Sequence, residues 1–120
     1  MVSRLTPFLV MGAALVTVSG LWAWHRDAQA SRASLIRIEA SQGRQLFHAM
    51  CETCHGPDGD GAGGAPNLMN GEVLQQYPTV SQLATFIQER MPATNPGILT
   101  NSEARDLALW IQALNPRLTP

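Results

Sequence analysis

The sequence predicts a small all-α protein with three short helices after an N-terminal hydrophobic helix. Apolar residues recur at helical spacing in three segments, two of these open on capping-box sequences, and glycine- and proline-rich loops separate them. With 120 residues, 45% hydrophobic and 14% charged, the chain has room for one small domain and is too apolar to be disordered. Its formal net charge of -1 provides no basic surface, so nucleic acid is not an expected partner.

The first element is an uncharged segment from Leu5 to Trp24. Twenty helical residues at about 1.5 Å each span roughly the thickness of a bilayer hydrocarbon core. Residues 1–30 are therefore a membrane anchor or a signal peptide cleaved after Ala30, and the apolar length favours the anchor, since signal peptides have shorter apolar regions. With either a membrane anchor or a signal peptide, the chain after residue 30 is exported. This predicts a location on the periplasmic side of the inner membrane.

The exported part begins with a polar, alanine-rich tether at residues 31–38, and the folded domain covers residues 39–115. The first helix of this domain ends at Met50, with Gly43 and Phe47 four positions apart on one face. A glycine inside a helix costs about 1 kcal/mol relative to alanine. We therefore expect another element to pack closely against Gly43.

Residues 56–71 contain six glycines and two prolines, which predicts a long loop that wraps around something. The second helix begins at Thr79 and ends at Met91, and the third begins at Thr100 and ends before Pro116. Each opens on a capping box with the residue three positions later. A domain this small often needs a metal or a cofactor to complete its core.

The chemistry of the chain is expected at Cys51, Cys54 and His55. Two thiols three positions apart can form thioether bonds to the vinyl groups of a haem, and the adjacent histidine can bind the iron. A zinc site would need further paired ligands, and a thioredoxin-like dithiol would need a strand before the cysteines, where a helix is predicted here. A simple disulfide or free thiols are the remaining alternatives.

From about Glu39 to Leu114 the sequence resembles the class I c-type cytochromes. The resemblance is carried by the Gly43 helix with its Cys-x-x-Cys-His motif and by Ala65-Pro66-Asn67-Leu68. It implies a cytochrome c fold around one covalently bound haem c, with the first helix crossing Trp110 of the last helix.

The same resemblance assigns roles to single residues around the haem. The Pro66 carbonyl would accept the Nδ1 proton of His55, and Leu68 would pack on the haem. Independently of the family, a bond to one ring nitrogen of a histidine fixes the tautomer and leaves the other nitrogen for a metal.

The second axial ligand separates an electron carrier from a haem that binds small molecules. Met69 and Met91 are the candidates, and the third possibility is that no protein ligand occupies this position. The resemblance favours Met91, since the family carries its methionine in such a segment before a proline. Tyr77 and Arg90 are weaker candidates for hydrogen bonds to a haem propionate.

These residues predict an electron-transfer protein without substrate chemistry of its own, not an enzyme. The expected function is one-electron transfer between a redox protein donor and an acceptor, as a periplasm-facing carrier or as a cytochrome subunit of a membrane redox chain. No small-molecule substrate is expected. A haem enzyme or gas sensor with an open or displaceable sixth ligand is the alternative, and a non-haem dithiol oxidoreductase is a third.

Overall fold

The computed structural model describes the backbone of residues 6–116 and the side chains of residues 20–116. Residues 6–116 contain five helices and no strand, which confirms the all-α class. They divide into two compact units with a boundary between Leu35 and Ile36. The helices are α1 (Thr6–Met50), α2 (Glu52–His55), α3 (Glu72–Gln76), α4 (Val80–Arg90) and α5 (Asn101–Ala113).

Helix α1 runs without interruption for 45 residues, including the predicted tether at 31–38. Between residues 21 and 42 the sequence has neither glycine nor proline, so nothing in it ends the helix. In the part of the chain that the structure describes, no helix has the length and apolarity needed to span a membrane. The predicted apolar segment Leu5–Trp24 lies mostly outside the described side chains, and the domain boundaries remain predictions.

The three predicted helices of the second unit are present, and two short ones, α2 and α3, accompany them. Helices of four and five residues are too short to show a helical period in the sequence. Helix α3 opens on Gly71, which has a φ of 81°, and the Asn70 side chain accepts a hydrogen bond from the Glu72 amide. Asn70 and Gly71, at the end of the predicted loop, therefore start the short helix α3.

The C-terminal end of α1 crosses α5 at Gly43. A Cβ atom at this position would collide with the backbone carbonyl of Asp106, so only glycine allows this approach. One turn later, the Phe47 ring packs on the Trp110 indole with ring centroids 4.2 Å apart. This confirms the expected close packing at Gly43 and the crossing that the resemblance implied.

Both predicted capping boxes are formed. Thr79 caps α4 with Gln82, and Thr100 caps α5 with Glu103, each side chain bonding the backbone amide of the other residue. These caps fix where the two helices start, and their apolar faces then meet in the core. The buried apolar cluster consists of Phe47, Leu68, Leu74, Leu83, Ile87, Leu99, Ala104, Leu107, Ala108, Trp110 and Ile111.

Candidate functional site

The two cysteines and the histidine lie on one tight turn at the end of α1. The Cys51 amide donates to the Phe47 carbonyl at 2.8 Å, and the amides of Cys54 and His55 donate to the Cys51 carbonyl at 3.1 and 2.9 Å. Cys51 is partly buried against the core cluster, whereas Cys54 is exposed. The turn therefore places one thiol at the core and the other at the surface.

Burial raises the pKa of the Cys51 thiol to about 11, and the neighbouring Cys54 adds to the rise. Cysteines that act as redox nucleophiles or bind metals through thiolate have a lowered pKa. With its raised pKa, the Cys51 thiol is protonated and weakly nucleophilic at neutral pH.

His55 is oriented by the loop that follows it. Its Nδ1 lies 2.9 Å from the Pro66 carbonyl oxygen. Because a carbonyl oxygen can only accept, Nδ1 carries the proton and Nε2 keeps its lone pair for a metal. The hydrogen bond that the resemblance implies is thus present, and it prepares the imidazole to act as an axial ligand.

Backbone hydrogen bonds tie the loop to α2. The Gly61 amide donates to the His55 carbonyl at 2.7 Å, and the Ala65 amide donates to the Cys54 carbonyl at 2.9 Å. Gly63 lies so close to α2 that a Cβ atom there would collide with the carbonyl oxygens of Thr53 and Cys54. The glycines therefore allow the loop to fold back against the turn that carries the motif.

The two candidate methionines have different environments. Met91 follows α4 directly, is partly buried and packs against the same apolar cluster as Cys51. Met69 lies in the glycine-rich loop and is 45% exposed. Leu68, which the resemblance places on the haem, is buried in the cluster at 7% exposure. This placement favours Met91 over Met69, because Met91 reaches the core in which a haem would lie.

Tyr77 and Arg90, the candidates for propionate contacts, line one open groove of about 740 Å³. The Tyr77 ring stacks on Phe86 with centroids 4.6 Å apart. The structure thus brings both candidates together, and their contacts to a propionate remain a prediction. His48, by contrast, pairs with Glu52 one turn later on an exposed helical face.

Asn115 is a residue of this region that sequence reasoning missed. Its side-chain Nδ2 donates to the Leu68 carbonyl at 2.8 Å and to the Ile111 carbonyl at 2.9 Å. In the sequence, an asparagine before Pro116 indicates only the end of a helix. Nothing in the sequence indicates a bond between residues 47 positions apart.

The donor set of this site fits a covalently attached haem. It consists of two thiols on one turn, one at the core and one at the surface, and an imidazole whose Nε2 is free for iron. A partly buried thioether lies at the same core.

The model of the family described as "Cytochrome C oxidase, cbb3-type, subunit III" matches residues 39–111, more than half of the chain. The chain belongs to this family. As a cytochrome c domain of this family, it binds haem c covalently, which confirms the predicted cofactor and the predicted c-type cytochrome domain. It has a role in haem-based electron transfer. No solved structure matches the chain.

Proposed function

We propose that this chain transfers one electron at a time, with Cys51 and Cys54 bonded to the haem and His55 and Met91 as axial ligands. The observation that carries the proposal is the hydrogen bond from His55 Nδ1 to the Pro66 carbonyl. It fixes the tautomer that a haem ligand requires and raises the basicity of Nε2. When bound, the haem supplies the reversible one-electron couple of its iron.

Each of these residues has a distinct task. Cys51 would hold the porphyrin at the core and the exposed Cys54 would hold it near the surface, so one haem edge would be accessible to a partner protein. Met91 would be the second ligand of the iron and would thereby exclude water and small ligands from it. A closed site of this kind suits electron transfer better than catalysis on a small molecule.

The partners in this proposal are a redox protein donor and an acceptor, with the haem domain facing the periplasm and held at the inner membrane by residues 1–30. The name of the family supports a place among the subunits of a respiratory oxidase. Anchoring would raise the effective concentration of the haem near such a complex. Proteolytic separation of residues 1–30 from the haem domain should release the haem from membranes into the soluble fraction.

Matched methionine variants test the proposed ligation. Met91→Ala should abolish the charge-transfer band of methionine-ligated ferric haem and allow the ferrous protein to bind carbon monoxide. Met69→Ala makes the same chemical change in the exposed loop and should leave both properties unchanged. If Met69→Ala removes the band instead, Met69 is the ligand, and strong carbon monoxide binding by the unmodified protein would favour the gas sensor or enzyme.

Covalent attachment is tested separately by mass and by haem staining on a denaturing gel. The unmodified protein should carry the mass of one haem, and Cys51→Ala with Cys54→Ala should remove it. A chain that stains without either cysteine would contradict the proposed thioether bonds.

A further inference from the structure

Asn115 stands out among the residues whose side chains the structure describes, because it is the one polar residue that is buried, at 5% exposure. Burying a side-chain amide is costly unless its polar atoms are hydrogen-bonded. Both protons of its Nδ2 have acceptors, the carbonyls of Leu68 and Ile111. The first acceptor is in the His55 loop and the second is in the last turn of α5.

A short series of bonds connects this amide to the imidazole. Leu68 accepts from Asn115 through its carbonyl and donates through its amide to the Gly59 carbonyl at 2.7 Å. Two residues before Leu68, the Pro66 carbonyl accepts the Nδ1 proton of His55. The segment that orients His55 is therefore held from α5 on one side and from its own loop on the other.

We propose that Asn115 is a positioning residue for His55. By holding segment 66–68 against the end of α5, its amide keeps the Pro66 carbonyl in reach of Nδ1 and so tunes the reduction potential of the iron. This inference rests on the proposed function, in which His55 is an axial ligand.

The sign of the effect follows from ligand basicity. The hydrogen bond to Pro66 gives the imidazole more negative charge, which stabilises ferric over ferrous iron. If segment 66–68 moves away from α5, that hydrogen bond lengthens and the ferric form loses stabilisation. The reduction potential should then rise.

The test compares holoprotein variants by redox titration and by proton NMR. Asn115→Leu keeps a side chain branched at Cγ and removes both donors, and the smaller Asn115→Ala serves if leucine prevents folding. Ser102→Gly is the matched control, because glycine at this exposed position weakens the first turn of α5 and leaves the Thr100 cap in place. Either Asn115 variant should raise the potential and shift the His55 Nδ1 proton resonance upfield, and Ser102→Gly should change neither at a comparable loss of Tm.

Three outcomes overturn the inference or separate it from the proposed function. If the Asn115 variants lose thermal stability but keep the potential and the resonance, Asn115 has only a structural role. In the unmodified holoprotein, the Asn115 amide protons should exchange much more slowly than those of the exposed Gln75, and equal rates overturn the inference without any variant. If the unmodified protein shows no one-electron couple, the proposed function itself fails.

Discussion

Two loops follow the two proposed iron ligands, and the structure holds them in different ways. The His55 loop, residues 56–71, is bonded to α2 through Gly61 and Ala65 and to α5 through Asn115. The Met91 loop, residues 92–99, has one backbone hydrogen bond of its own among the described residues, from the Asn95 amide to the Pro92 carbonyl. Its residues 93–98 are exposed.

This difference assigns separate tasks to the two sides of the iron. The polypeptide itself orients His55, since its loop is fixed by bonds to two helices. Met91 is held by its place at the end of α4, where its amide donates to the Ile87 carbonyl at 2.8 Å, and by the buried Leu99 at the far end of its loop. We therefore expect Met91 to be the ligand that is lost first when the domain is perturbed.

The largest effects are expected from the buried leucine of each loop. Leu68→Ala and Leu99→Ala should each lower the free energy of unfolding by about 2–5 kcal/mol, because both side chains are in the core. Only Leu99→Ala should make Met91 easier to displace from the iron. If this substitution weakens the binding of Met91 to the iron by about 1.4 kcal/mol, added imidazole should bind about tenfold more tightly. A spectroscopic imidazole titration of both variants checks this. Equal tightening by the two variants would contradict the assignment of tasks.

Glycine-to-alanine substitutions should also destabilise the two loops to different extents, with a smaller effect than the leucine substitutions. Gly63→Ala should lower the free energy of unfolding by up to about 3 kcal/mol, because its Cβ would collide with the carbonyls of α2. Gly97→Ala in the Met91 loop has open space around it and a φ of 80°, so it should cost only about 1 kcal/mol of backbone strain.

Gly64 is the control within the His55 loop, since its φ is 95° and nothing surrounds a Cβ there. Denaturant unfolding of the three holoprotein variants should show that Gly64→Ala and Gly97→Ala lower the free energy of unfolding by similar amounts. Gly63 itself has no positive φ, so its cost comes from close packing against α2. If Gly64→Ala is nevertheless as costly as Gly63→Ala, backbone strain alone can match the cost of that packing, and the expected order of the variants is wrong.

The same contrast explains how much the sequence could predict. The sequence predicts where α4 and α5 start, because the capping boxes at Thr79 and Thr100 depend on neighbouring residues only. It also predicts the crossing at Gly43, because the absence of a side chain there indicates close packing. The motif of the His55 turn is equally local. The hydrogen bond from Asn115 to Leu68 depends on tertiary packing, so the sequence does not predict it. The one-turn helices α2 and α3 are too short to show a helical period, so they were also not predicted.

The smallest effect is expected from the capping box of α5. This box follows the Met91 loop directly and contains the charged residue Glu103. The hydrogen bond from the Thr100 backbone amide is the main cause that lowers the pKa of Glu103, and the Thr100 hydroxyl adds to it. A lowered pKa in the folded state means that this carboxylate stabilises the fold above its unfolded pKa, about 4.3, and that the stabilisation is lost as pH falls through the folded value.

Glu103→Gln should therefore lower Tm slightly at neutral pH, and the difference from the unmodified protein should disappear in acid. The cap of α4 carries the neutral Gln82 at the same position, so Gln82→Glu should introduce the same dependence there. Thermal unfolding of both variants at a series of pH values checks the sign. A Glu103→Gln difference that grows as the pH falls would show that the carboxylate does not stabilise the start of α5, and the end of the Met91 loop would then be held by Leu99 and the Thr100 side chain alone.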